Sequence, residues 1–301
     1  MPCSDMLPMF VVPDAGSQVA LVSGLNSYTC DWLQRARQSG PRLNFFIVDE
    51  LAVIRPLHGK TLGPVIRIAA SLSLAHSLFA TEWLALPASA VSRKVPWRRL
   101  WAVTPHERLR LRVLLDAIIA ELFGLSLNDF TWMMQDCDWP ACWIRSKLNT
   151  RPLDPKGFWR VEKENDAEVR QTVLAQVAFH ELKKNGLETF LTMNGGEGWM
   201  LPEALRLTDY GLGHDDRAQE YQPVSSTLGP RFYPWQLQQS SEESWEECER
   251  HAEVLAKLIP HGNPENNRGS DGDDVVAVDL FGNPIETDLF GSPVYPKPRK
   301  H

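Results

Sequence analysis

Residues 104–124 leave the chain the least freedom. Thr104-Pro105-His106-Glu107 sets an N-cap hydroxyl, a proline at the first helical position and a glutamate placed to cap back, which together open a helix. Leu109, Leu111, Val113, Leu114, Ile118, Ile119 and Leu122 then supply apolar faces, and Gly124 stops the helix. Ser126 with Asp129 starts a shorter helix through Met134. Residues 63–86 read as a strongly apolar helix closed by Pro87, and an imperfect helical stripe spans 19–36. Helices return at 167–185 and 241–258, the latter opened by acidic residues that suit a helix N-terminus. Residues 43–54 read as extended, and 195–234 as a long loop with short structured pieces. The expected class is α+β, mainly α-helical.

Beyond His261 the composition changes to Gly, Asn, Asp and Pro. Such a segment buries too little apolar surface to offset chain entropy, so residues 262–301 are expected to be disordered. The tail repeats one motif, Asp279-Leu280-Phe281-Gly282-Asn283-Pro284 and Asp288-Leu289-Phe290-Gly291-Ser292-Pro293. Two copies are too few for a solenoid and read as paired linear motifs or a tandem duplication.

The net charge of −7 argues against nucleic acid until it is divided along the chain. Residues 1–150 hold 15 Lys and Arg against 12 Asp and Glu, whereas 151–301 hold 16 against 26. A phosphate-facing surface is therefore expected in the first half. Five cysteines, irregularly spaced, do not form a disulfide framework and fit a reducing cytoplasm. The most apolar stretch, 65–91, is broken by Arg67, His76, Glu82 and Pro87, so no membrane span is expected.

Several chemistries lack their residues. No phosphate-binding loop or dinucleotide Gly-x-Gly-x-x-Gly is present, and Gly195-Gly196-Glu197-Gly198 reads as a turn. Cys137 and Cys142 lack close partners for zinc. His180-Glu181 lacks a second histidine, because Lys184 stands in its place, and His180 is expected to be a packed or partner-bonded core residue. His214-Asp215-Asp216 reads as a polar turn. A hydrolase built on His180, Glu181 or Asp215 has nothing to complete its site.

Two segments carry a resemblance. Leu25-Asn26-Ser27, Asp31-Trp32, Arg35, Gln38, Gly40, Leu43-Asn44-Phe45-Phe46-Ile47, Leu51, Val53 and Pro56 resemble the end of a target-recognition domain in adenine-specific DNA methyltransferases of the fused restriction-modification type. Leu114-Leu115-Asp116-Ala117-Ile118-Ile119-Ala120 with Leu122-Phe123-Gly124-Leu125 and Asp129-Phe130 resembles the helical stretch that follows it. Phe158-Trp159-Arg160-Val161, Gly198-Trp199-Met200-Leu201-Pro202 and Trp235-Gln236-Leu237 are similar to the C-terminal extension of methyltransferases of the DISARM antiphage system.

The resemblance implies a remnant helix–turn–strand of a recognition domain at 1–57, a helical domain at 58–150, a helical and irregular extension at 151–261, and the tail. It also implies work on double-stranded DNA in a bacterial defence system. The Asn/Asp-Pro-Pro-Tyr/Phe tetrad that holds a flipped adenine is absent, as is the cofactor loop. Catalysis and S-adenosylmethionine are therefore expected only on a catalytic partner subunit or a missing N-terminal region; this chain holds no cofactor. Candidate DNA contacts are Arg35, Arg37, Arg42 and Asn44 around the turn, with Lys60 and Arg67 nearby. A second set, Arg93, Lys94, Trp97, Arg98 and Arg99, forms a basic loop in which Trp97 is expected to offer a stacking surface. The alternative is a structural module that binds other defence proteins and touches no DNA.

Overall fold

The chain, seen in a computed structural model, is described for residues 14–37, 51–52, 62–134, 158–162, 164–205 and 222–258. It divides into two units, 1–255 and 256–301, and of the second only Ala256, Lys257 and Leu258 are described. Most of the extended stretch 43–54 lies outside the described residues. So do Cys137, Cys142, the His214-Asp215-Asp216 turn and the repeats of the tail.

The described residues are mainly helical. They form α1 (Ala15–Leu25), α2 (Tyr28–Arg37), α3 (Leu62–Ser73), α4 (Ala80–Ala85), α5 (Pro105–Leu122), α6 (Leu127–Met134), α7 (Gln171–Asn185), α8 (Leu187–Gly196), α9 (Val224–Leu228), α10 (Pro234–Leu237) and α11 (Ser241–Leu258). Short 3₁₀ turns at Ser77–Phe79, Trp97–Leu100, Phe158–Val161 and Ala167–Val169 join some of them. The extended structure among the described residues is a two-residue antiparallel pair, β1 (Ala204–Leu205) against β2 (Gln222–Pro223).

Helix α5 is the axis of the core. Thr104 Oγ1 accepts the Glu107 N–H at 3.2 Å, Pro105 fills the first turn, and Gly124 leaves the helix at φ +71°. Of its residues only Pro105 and Arg112 are exposed, and a helix covered on all faces must be ringed by others. Helix α7 is its principal neighbour, and α3, α2 and α9 also pack on it. Phe130 of α6 meets Phe179 of α7 edge to face at 4.9 Å, extending one continuous apolar cluster from Val19 to Cys248. Helix α3 begins where Gly63 abuts residues 89–90. A Cβ there would stand 2.3 Å from the Ser89 carbonyl oxygen, so only glycine fits.

Local polar contacts cut two of the expected helices. The stripe at 19–36 is two helices: Ser27 Oγ donates to Gly24 O at 2.7 Å and accepts the Cys30 N–H at 3.2 Å, capping α2 afresh. The 63–86 helix is interrupted after Ser73. There His76 Nδ1 accepts the Leu78 N–H at 3.0 Å, and Trp83 Nε1 donates to Leu74 O at 2.8 Å. Residues 167–169 form a 3₁₀ turn ahead of α7, not its first turn. The 126–134 helix is present, with Ser126 and Asp129 capping each other reciprocally. His180 is exposed on α7, contrary to the expected core histidine, because Val173, Leu174, Ala178 and Phe179 occupy the buried faces.

Candidate nucleic-acid interface

The basic loop 93–99 runs into the 3₁₀ turn Trp97–Leu100, and this segment meets α10 and α11. Gln236 joins the first two elements. Its side chain is buried; Oε1 accepts the Tyr233 N–H at 2.8 Å, and Nε2 donates to Trp101 O at 2.8 Å and Arg98 O at 3.3 Å. Tyr233 stands before a proline, which favours extended backbone, and it has φ −77° and ψ 153°. Pro234 then opens the helical turn. This extended-then-helical change of direction places the rings of Tyr233 and Trp235 side by side, with centroids 6.4 Å apart and planes inclined by 21°.

From the surface inward the aromatic rings form a chain. Trp235 meets Trp101 at 6.1 Å, Trp101 meets Trp97 at 4.9 Å, and Trp97 meets His251 at 5.9 Å. Trp97 is fully buried, so the stacking surface expected of it is spent on its own neighbours. The exposed rings are Trp235 at 41% and Tyr233 at 38%. Arginines lie over neighbouring rings: Arg98 over Trp101 at 5.8 Å, and Arg99 and Arg231 over Phe232 at 5.3 and 4.8 Å.

Helix α11 borders the patch with acid. Glu249 pairs with Arg93 at 2.9 Å and Glu247 pairs with Arg98, while Trp245 Nε1 donates to Val95 O at 2.8 Å. Arg99 has no ion pair among the described residues, and Lys94 is exposed. The Nε atoms of Arg98 and Arg99, the indole N–H groups of Trp97 and Trp101, and His251 Nδ1 are buried with no hydrogen-bond partner among the described residues. Folded proteins rarely leave such atoms unpaired, at a cost of about 1–3 kcal/mol each, and concentrations of that cost are characteristic of working surfaces.

The other candidate contacts lie elsewhere. Arg35 pairs with Asp31 at 2.7 Å and covers the Phe158 ring at 4.5 Å, while Arg37 is exposed at the end of α2. Arg42, Asn44 and Lys60 lie outside the described residues. Arg67 donates to Gly196 O at 2.9 Å and lines a cavity of about 470 Å³ between Pro64, Ser89 and Leu191.

Near it lies a buried ion cluster. Glu107, expected to cap back, instead grips Arg110 through both carboxylate oxygens at 2.6 and 2.9 Å and takes Arg231 Nε at 2.7 Å. Arg231 also donates to Glu197 at 2.7 Å. Burial pushes the Glu107 carboxyl up, but the hydrogen bonds and charges of Arg110 and Arg231 more than reverse it, leaving it below its ordinary value.

The sequence signal that marks the missed residues is Arg231-Phe232-Tyr233-Pro234-Trp235, whose density of rings and charge lay inside the expected loop. It also places part of the surface in the acidic second half of the chain, where charge balance alone gave no reason to look. No cluster of three or more His, Cys, Asp or Glu suited to a metal is present among the described residues. No helix among them is long and apolar enough to cross a membrane. No family model, curated protein or solved structure matches this chain.

Proposed function

We propose that this chain is a DNA-contacting accessory part of an adenine-specific methyltransferase system, of the restriction-modification or antiphage kind, and does not methylate alone. The observation that carries the DNA contact is the surface at 93–101 and 231–237, where Arg98 lies over Trp101, which packs on exposed Trp235, and Arg99 lies over Phe232, next in the chain to exposed Tyr233. Guanidinium groups neutralise phosphate and aromatic faces take bases, which is the pairing that nucleic-acid binding needs. The methyltransferase link rests on the resemblance of residues 25–56 and 114–130, including the remnant recognition domain it implies at 1–57. Double-stranded DNA, a catalytic subunit and other defence proteins are the partners in this reading, with S-adenosylmethionine held by the catalytic subunit.

Duplex binding at low salt tests it. Replacing Arg93, Lys94, Arg98 and Arg99 together by alanine should weaken binding roughly tenfold or more. Alanines at Lys183, Lys184 and Lys257 should leave it within twofold, and affinity should fall steeply as salt rises. Equal binding by the two variants would remove the assignment. A second reading, a module for protein contacts only, is favoured by the exposed acidic row Glu242, Glu246, Glu249 and Glu253 on α11. In that case neither variant changes a DNA affinity that is negligible from the start.

A further inference from the structure

We infer that the cavity beside Arg67 is a binding site for a small organic acid, one with a single carboxylate and an apolar body. Among the described residues the cavity shares no lining residue with the surface at 93–101 and 231–237, so the site stands or falls apart from the nucleic-acid reading.

Three segments supply the walls. On α3, Pro64 and Arg67 are three apart and share a face; on α8, Leu187 and Leu191 are four apart and share another. Residues 88–92 close the third side, with Ala90 buried and Ala88 exposed. The space of about 470 Å³ falls within the roughly 300–1,000 Å³ of small-molecule sites, and like them it is lined mostly by apolar atoms.

The shape is built in. A Cβ on Gly63 would stand 2.3 Å from the Ser89 carbonyl oxygen, and this close approach sets the 88–92 segment against the start of α3. At the end of α8, Gly196 turns at φ +90°, and its carbonyl accepts Arg67 Nη2 at 2.9 Å. Walls fixed in this way lose little freedom when a ligand enters.

Charge selects the ligand. Arg67 feels the charges of Glu197, Arg110, Glu107 and Arg231, which makes a group of three guanidiniums and two carboxylates. Both carboxylates are already engaged. Glu107 holds Arg110 and Arg231, and Glu197 takes Arg231 at 2.7 Å. Among the described residues the Arg67 guanidinium makes one hydrogen bond, to Gly196 O, and no ion pair. Burial presses its pKa below the ordinary value by more than the nearby carboxylates restore, as befits a cation short of both water and counter-ion.

A carboxylate in the cavity supplies that counter-ion where water is partly excluded, and charge-assisted hydrogen bonds are strong there. One unmatched cation suits one negative charge. Glu188, exposed on the same cavity, sets the site against a doubly charged phosphate ester.

The experiment titrates the full chain by calorimetry with 2-naphthoate as probe, 2-naphthamide as its uncharged match and 2-naphthyl phosphate as its dianionic match. Naphthoate should bind about tenfold or more tighter than the amide, since hydrogen bonds to a charged group contribute at least that much. Arg67→Ala should bring naphthoate down to the affinity of the amide and leave the amide unchanged. Because Arg67 also bonds Gly196, a second variant keeps it in place: Ala88→Trp fills the cavity from its exposed wall and should abolish binding of both probes at an unchanged Tm.

Equal affinity of the wild type for naphthoate and naphthamide overturns the role of Arg67. Wild-type affinity in a folded Ala88→Trp overturns the location. Tighter binding of the phosphate than of naphthoate overturns the monocarboxylate class. A folded wild-type protein that binds none of the three at millimolar concentration overturns the site and leaves the nucleic-acid reading untouched.

Discussion

Two arginine-rich regions of this protein use the same side chain in opposite ways. In the cluster around Glu107, Arg110 is almost wholly enclosed, yet Glu107 takes Nε and one terminal nitrogen while the carbonyls of Glu197 and Trp199 take the other. At the surface around Trp235, the Nε atoms of Arg98 and Arg99 have no hydrogen-bond partner among the described residues and the guanidinium groups lie over aromatic rings, although Glu247 takes the Nη2 of Arg98. Arg231 joins both regions, bonded to Glu107 and Glu197 while covering Phe232. Removing an arginine's partner costs most where the charge is sealed from water. Where water still reaches the charge, the loss is smaller.

The sharpest way to break this contrast is Glu107→Gln. It leaves Arg110 enclosed and Arg231 short of a counter-charge, so unfolding stability should fall by about 3–5 kcal/mol. Urea denaturation gives the number, and a loss under about 1 kcal/mol would mean that the cluster is not the lock described.

A second test compares carboxylates. Glu107 is held low by its arginines. Asp116 is just as enclosed but, among the described residues, accepts the Tyr28 N–H at 2.9 Å and the Gln171 side-chain amide at 2.7 Å with no cation bonded to it. Burial pushes Asp116 up to about 7, and those two bonds only partly offset it. A carboxyl raised in the folded state favours folding most when protonated. Its contribution is therefore full below the ordinary carboxylate range and is lost as pH rises toward 7, on the order of 4 kcal/mol in all. Glu107 has the opposite sign, contributing above the ordinary range and losing it as pH falls. Replacing Asp116 by Asn should flatten the decline in unfolding stability between pH 5 and 7.5, and an unaltered slope would assign that decline to other groups.

The smallest expected effect is at Arg99. Changing it to alanine should shift stability by no more than about 0.5 kcal/mol, in either direction, since it has no ion pair to lose among the described residues. The same change should reduce the salt dependence of DNA binding by about one phosphate contact. A large stability loss here, with unchanged binding, would make Arg99 a structural residue like Arg110 and erase the distinction between the two regions.

What could be read from the sequence was local. Thr104-Pro105 and Gly124 bracket α5, and Ser126 with Asp129 opens α6, because a cap is a contact between residues three apart. The remainder depends on distant partners. Glu107 sits where a capping glutamate belongs, but Arg231, 124 residues away, helps to draw its carboxylate inward. Trp97 lies in a basic, polar loop and reads as exposed until α11 covers it. His180 shares a helix with apolar neighbours, and a single-residue difference in angular position puts it outside. Trp235 and Tyr233 lay in a stretch with no periodicity, where distant contacts such as the bond from Gln236 to Trp101 give them a fixed place.

That bond also sets a schedule for synthesis. Gln236 and Trp101 are 135 residues apart, and at about 5–20 residues per second a ribosome takes roughly 7–27 seconds to travel between them. During that interval the nascent chain carries Trp97 and Trp101 without α10 or α11 to enclose them. A polypeptide released early in this window would present adhesive indole rings to its surroundings, and chaperone demand should peak there, before residue 251 leaves the exit tunnel and His251 closes over Trp97.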